Sequence, residues 1–392
     1  MVRKFNKLIS FSIALIIALG CVSVPAMAEL PDLKPALKVE AKSALLVEPF
    51  SKKVLFEQNS HEKLAPASVT KVMTMLLAME GIDSGKIKLS DKVTVSENAK
   101  KMGGSSMILE TGEVRTVEEL LKGIAIASGN DAAVAMGEYL AGSQEAFVAK
   151  MNERAQQLGM QDTTFKNCTG LSAPGHVSSA YDIMLMSVEL IKHPTILKYS
   201  GTYMETISEG RKTPIGLVNH NKLVRFFKGC DGLKTGFTDE AKYCISATAT
   251  RDGVRMLAVV MGSDSFKVRN RDASNLMNYG FSKYESKKLI QKDSEVEKIY
   301  LNKKLSSFLI AKAAGDFTVI CEKGKNEKFA KKCILDNIKK EIKKNDRIGY
   351  CEVYMDGELI GKVTLYSDRD IKKPKFFDNL KNHLSDLFDN AI

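Results

Sequence analysis

The chain is 392 residues long, with 44% hydrophobic and 27% charged residues and a formal net charge of +11, a size and balance that suit two packed domains and exclude a disordered or fibrous chain. It has no internal repeat and no low-complexity tract, which excludes solenoids. Its lysines are interleaved with acids, as in Lys339-Lys340-Glu341, without a zinc-finger, helix-turn-helix or RNA-binding signature, so the basic balance points to an anionic wall or membrane surface and away from nucleic acid.

Arg3, Lys4 and Lys7 precede an apolar run at residues 9–19, and Ala26-Met27-Ala28 places small residues at the cleavage positions of an exported protein. The pattern predicts a signal peptide over 1–28; the run is too short, and wrongly flanked, for a spanning helix. Cys21 follows Gly20, but the leucine of Ala18-Leu19-Gly20 stands one position late for lipid attachment. Beyond it remain Cys168, Cys230, Cys244, Cys321, Cys333 and Cys351. An even number suits an oxidising compartment, no C-x-x-C pair points to a metal or thioredoxin-like site, and the spacing leaves buried thiols and disulfides both open.

Residues 43–48 and 53–57 are apolar-rich runs around Pro49-Phe50-Ser51, a strand–turn–strand signal. Residues 68–80, behind Pro66 and ahead of Gly81, are continuously apolar and predict a buried helix. Helical spacing of Ala and Met runs over 117–158, broken near Gly142-Ser143 and stopped by Gly159. A helix is expected over 180–191, strands over 233–238, 243–250 and 254–261 with Arg251-Asp252-Gly253 as a hairpin turn, and a closing helix over 272–281. Past Lys287 the composition shifts to lysine-rich alternating segments such as 349–354 and 359–366, which predict a small β domain. Phe377, Leu380, Leu384, Leu387, Phe388 and Ile392 recur at three- and four-residue steps behind Lys372-Lys373-Pro374-Lys375, the pattern of an amphipathic helix lying on a membrane surface.

Chemistry concentrates in three short motifs. Ser68-Val69-Thr70-Lys71 opens the predicted helix, and positions i and i+3 share a helix face, so the amine can reach the hydroxyl. Serine needs a base to become a nucleophile, and a lysine depressed by burial and a neighbouring cation can serve. Ser60-His61-Glu62-Lys63 has the same spacing but lies in a polar stretch with no helix behind it. Ser128-Gly129-Asn130 and Lys234-Thr235-Gly236 follow in order, and such a trio marks class A β-lactamases and penicillin-binding proteins, with Gly129 here in place of the usual aspartate. Other constellations are weaker: Gly103-Gly104-Ser105-Ser106 lacks a P-loop lysine, no G-x-S-x-G elbow occurs, and the five histidines lack metal-ligand spacing, so neither a metal nor a cofactor is expected.

The wider segments around these motifs extend the match. They are Pro66 to Thr74, Ser128 to Met136, Gly170-Leu171, Gly175-His176, Ser178-Ser179-Ala180 with Asp182, and Asp231 to Gly236. Over nearly its whole mature length the chain resembles a low-molecular-mass penicillin-binding protein of the D-Ala-D-Ala carboxypeptidase type. The resemblance implies an α/β (α+β) fold of the β-lactamase and transpeptidase kind: an antiparallel sheet flanked by helices with a helical lobe over 29–285, a small β-rich domain over 286–375 and an anchoring helix over 376–392. It implies that Ser68 attacks the carbonyl between two D-alanines, with Lys71 as general base and Ser128 and Asn130 relaying a proton and orienting the substrate amide. Lys234 would attract the substrate carboxylate and keep Lys71 deprotonated, and Thr235 would bind that carboxylate. Beyond Gly236, the amide of Phe237 would join that of Ser68 in an oxyanion hole. Arg269 matches a position that helps hold the terminal carboxylate, and His220 stands where relatives can carry an arginine. The implied partners are a peptidoglycan stem peptide ending in D-Ala-D-Ala, β-lactams as inhibitors and the outer face of the cytoplasmic membrane. The alternatives are a β-lactamase, for which residues 167–182 offer no deacylating glutamate, and a non-catalytic wall-binding module, which would have no use for Lys71.

Overall fold

The computed structural model describes residues 37–208, 210–300, 308–336 and 341–371, so the expected signal peptide and amphipathic tail lie outside the described residues. The chain opens with strands β1 (Ser43–Glu48) and β2 (Lys53–Gln58), followed by a 3-10 turn, Ala67–Thr70, that runs straight into helix α1 (Lys71–Asp83). A ribbon of β3 (Lys92–Thr94) and β4 (Val114–Thr116) brackets the short α2 (Glu97–Lys100). Helices α3 (Val117–Ala125), α4 (Asn130–Ala141), α5 (Gln144–Gln157), α6 (Ala180–Leu190) and α7 (Pro194–Ser200) complete a helical lobe. After the hairpin β5 (Met204–Ile207) and β6 (Ile215–Val218) and the single turn α8 (Leu223–Phe226) come β7 (Cys230–Thr238), β8 (Lys242–Arg251), β9 (Val254–Ser263) and the long α9 (Phe266–Lys283).

The main sheet is antiparallel with strand order β2-β1-β9-β8-β7, so β7 is an edge. Its inner strands are apolar on both faces because both faces are covered. Leu257, Val259 and Met261 of β9 join the large core shared with the helical lobe, whereas Met256 meets Gly280 of α9. The expected antiparallel sheet with flanking helices is therefore present.

Several element boundaries differ from expectation, three of them for a visible reason. α1 continues through Gly81 to Asp83, because the bare Gly81 backbone admits Ile87, whose Cγ1 would stand 3.3 Å from an added Cβ. The helical run from 117 breaks at 126–129 as well as at Gly142-Ser143, since Ser128 takes a left-handed backbone (φ 61°). α9 begins at Phe266, not Asp272: Ser265 caps it by accepting from the Val268 N–H at 3.2 Å.

Past α9 every described element is a strand: β10 (Tyr284–Ile290), β11 (Glu295–Tyr300), β12 (Phe308–Ala313), β13 (Phe317–Glu322), β14 (Phe329–Leu335), β15 (Arg347–Met355) and β16 (Glu358–Ser367). They form a five-stranded antiparallel sheet, β11-β12-β16-β15-β14, and a β10–β13 ribbon around a second, smaller core. No helix among the described residues is long and apolar enough to cross a membrane.

Candidate active site

Ser68 sits in the 3-10 turn ahead of α1, and Lys71 is the first residue of that helix. The Lys71 amine is fully buried within hydrogen-bond reach of three oxygens: Ser68 Oγ at 2.9 Å, Asn130 Oδ1 at 2.6 Å and the Thr169 carbonyl at 2.6 Å. Burial brings its pKa down from 10.5 to about 7, against a smaller upward pull from Cys168 and Asp131. The competing Ser60 motif comes apart: Ser60 hydrogen-bonds Glu57, and Lys63 is exposed and turned to Asp162.

The Ser128–Asn130 segment forms the entry to α4. Asn130 spans the cleft, accepting from Lys71 and donating through Nδ2 to the Gly103 carbonyl at 2.6 Å, while its own N–H reaches the Ser105 carbonyl at 2.7 Å. Asp131 holds the facing loop: its carboxylate accepts from Ser106 Oγ (2.6 Å) and from the N–H groups of Met107 (3.0 Å) and Leu109 (3.1 Å). Ser128, buried, precedes this clamp on its left-handed backbone.

The third motif lies on the edge strand β7, with Lys234 and Thr235 buried and Phe237 half exposed. Gly236 is there for space. A Cβ at this position would stand 2.9 Å from both the Pro66 carbonyl and the Ser68 amide nitrogen, so only glycine lets the strand run against the nucleophile turn. Lys234 donates to the Thr235 carbonyl at 2.9 Å. Burial, then repulsion from Lys71 and Arg269, holds its pKa well below the usual lysine range. Arg269, on the first turn of α9, is buried to 5% exposure above the Tyr243 ring. Burial lowers it to about 10. His220 joins the same cationic group and is held at about 4 by burial and by Lys234, Lys222, Lys71 and Arg269.

Residues 166–176 close the floor. Asn167 Oδ1 accepts from the Thr169 and Gly170 amides at 3.1 and 2.7 Å, and Thr74 Oγ1 donates to the Cys168 carbonyl at 2.8 Å. His176 Nδ1 accepts from the Lys166 N–H at 3.0 Å, which leaves Nε2–H to donate to Thr70 Oγ1 at 2.8 Å. Gly170 (φ 84°) lies so close to the nucleophile turn that a Cβ would fall 1.8 Å from the Ala67 carbonyl oxygen.

Lys71 is thus in direct contact with Ser68 and Asn130, Gly236 packs on the nucleophile turn, and Lys234 feels the charges of Lys71 and Arg269. Three contributors carried no signal read from the sequence. The Thr169 carbonyl is a backbone group, Asp131 acts through the loop it holds, and Asn167 shapes its own turn.

The chain is similar to known proteins in sequence and fold. A family model described as D-alanyl-D-alanine carboxypeptidase matches residues 29–265, and one described as penicillin-binding protein 5, C-terminal domain, matches 284–373. The D-alanyl-D-alanine carboxypeptidase DacF of Bacillus subtilis is 46% identical over 349 residues, covering 88% of this chain and 90% of its own. The crystal structure of PBP3 from Streptococcus pneumoniae, a peptidoglycan synthesis regulatory factor, superposes with a TM-score of 0.70 at 27% identity, over 85% of this chain and 100% of that one. Penicillin-binding protein D2 from Listeria monocytogenes, in its ampicillin-bound form, superposes with a TM-score of 0.57 at 33% identity, over 63% of this chain and 100% of its own. A buried lysine on a serine, backed by an asparagine and a Lys-Thr-Gly edge strand, together with these matches over most of its length, places the chain in the D-alanyl-D-alanine carboxypeptidase family.

Proposed function

We propose that the protein removes the terminal D-alanine from peptidoglycan stem pentapeptides through an acyl-enzyme on Ser68, and that penicillin acylates the same serine. The observation that carries the reading is the hydrogen-bond environment of Lys71. A neutral amine has two N–H groups and one lone pair, and the Asn130 side-chain oxygen and the Thr169 carbonyl can only accept. The lone pair is left facing the one partner that can donate, the Ser68 hydroxyl at 2.9 Å. Lys71 then takes the serine proton as Ser68 Oγ bonds to the penultimate D-alanine carbonyl carbon. The peptide C–N bond breaks, the proton passes by way of Ser128 to the leaving amine, and water later hydrolyses the ester. Asn130 orients the substrate amide, and the amides of Ser68 and Phe237 receive the oxyanion beside Gly236. Thr235, Lys234 and Arg269 receive the substrate carboxylate, whose charge offsets the repulsion that disfavours a proton on Lys234.

The test is release of D-alanine from a D-Ala-D-Ala-ended pentapeptide together with labelling by fluorescent penicillin. Both are expected in the wild type and lost in Ser68→Ala; loss in Ser60→Ala instead would refute the assignment. Turnover of penicillin as fast as that of the peptide would make the protein a β-lactamase, and stable binding without D-alanine release would make it a wall-binding module.

The reading extends to location. An exported enzyme, freed of residues 1–28, would be held at the outer face of the cytoplasmic membrane by the apolar face of residues 376–392, with the β domain carrying the catalytic domain toward the wall. Deleting 376–392 is expected to release active enzyme from membranes into the soluble fraction. Continued membrane attachment of the truncated chain would refute the anchor.

A further inference from the structure

The second core holds chemistry that the active site does not use. β14 is the edge strand of the C-terminal sheet, and in its register with β15 Cys333 stands directly opposite Cys351. Directly opposed residues of an antiparallel pair share a face, with Cα atoms about 4.5–5.5 Å apart. That range lies inside the roughly 4.4–6.8 Å that a disulfide spans. Both side chains turn into the same apolar core, Cys333 with 5% and Cys351 with 0% of its surface exposed. The other described thiols have different surroundings: Cys168, Cys230 and Cys244 are buried in the catalytic unit, and Cys321 faces Glu285 in the β10–β13 ribbon.

We propose that Cys333 and Cys351 form a cross-strand disulfide site that closes by thiol–disulfide exchange with an external disulfide. Cys351, as thiolate, attacks one sulfur of R–S–S–R, forming a mixed disulfide and releasing one R–S⁻. Cys333, as thiolate, then attacks the Cys351 sulfur and releases the second. The two protein sulfurs lose two electrons and two protons, and the external disulfide gains both to become two thiols. The order of attack follows from the pair's environment. The neighbouring Cys333 thiol holds Cys351 below the usual thiol range, with Lys331 adding to the effect. The same contact, burial and the Glu297 carboxylate push Cys333 up. Access comes through the edge, since β14 has a hydrogen-bonded neighbour in this sheet on one side only and an edge strand opens more readily than an inner one. Closure would staple the free edge of the sheet to its neighbour.

Full-length protein purified without reductant is denatured in iodoacetamide and digested. Mass spectrometry should find a peptide pair joined through Cys333 and Cys351, two hydrogens lighter than the separate thiol peptides and separated by prior dithiothreitol. Protein first reduced and then incubated with oxidised glutathione should close this pair ahead of any other cysteines. The closed form should melt at a higher temperature than the reduced form, and Cys351→Ser should leave Cys333 alkylated. Alkylation of both cysteines after incubation with oxidised glutathione overturns the proposal, as does linkage of either to a different cysteine.

Discussion

At the scale of single residues, the pH dependence of the chemistry follows from where Lys71 sits. A lysine free in water keeps its proton far above neutrality, but the buried Lys71 titrates at about 7. Its folded pKa is the lower one, so the neutral base is present above about pH 7 and is lost as the pH falls through that value. The second-order rate of Ser68 acylation by penicillin is expected to rise by about tenfold per unit up to this point and then level off. A flat profile between about pH 5 and pH 8 would show that Lys71 is not the titrating base. Removing the amine in Lys71→Ala should cost about 100- to 10,000-fold in acylation with the fold retained. The neighbouring groups share one principle: burial lowers Lys234, Arg269 and His220 alike, and repulsion from nearby cations adds to it for Lys234 and His220.

At the scale of elements, the cleft is held by loops pinned at few points, and Asp131 is one of the most heavily used of them. One of its oxygens accepts from Met107 and from Ala132, the other from Ser106 and Leu109. Asp131→Asn keeps one acceptor oxygen but turns an NH₂ toward the Leu109 N–H, leaving donor against donor. The expected cost is about 1.5–3 kcal/mol in stability, read as a lower melting temperature, with slower acylation because Gly103 and Ser105 lose their place against Asn130. An unchanged melting temperature and rate would mean that the loop is held by other contacts. The three motifs could be read from the sequence because their work is done by side chains at fixed spacing, and the long strands β8 and β9 because continuous apolar runs mark strands covered on both faces. The break at 126–129 was hidden inside Ile124-Ala125-Ile126-Ala127, residues that a helix accepts, and a left-handed serine gives no warning in composition. β3 and β4, at three residues each, are too short to show alternation. The Thr169 carbonyl could not be found at all, because any residue there would present the same oxygen.

At the scale of the whole molecule, the core shared with the helical lobe and the core of the β domain belong to separate stretches of the chain. Every buried member of the large core lies between Leu45 and Met261, and every buried member of the small one between Ile290 and Leu365. At the junction the Lys323 N–H donates to the Lys283 carbonyl at 2.7 Å, its amine to the Phe281 carbonyl at 2.8 Å, and Lys53 lies over the Tyr284 ring. None of these reaches Ser68, Lys71, Asn130 or Lys234. A chain ended after Lys283 is therefore expected to fold and to be acylated by penicillin within about twofold of the full-length rate, as distant, uncoupled sites require. Its melting temperature should fall only by what the junction contacts supply. The assay is fluorescent-penicillin labelling against time, beside circular dichroism melts of both chains. Aggregation of the shortened chain, or a labelling rate lower by about tenfold or more, would show that the β domain supports the catalytic core and does not merely position it.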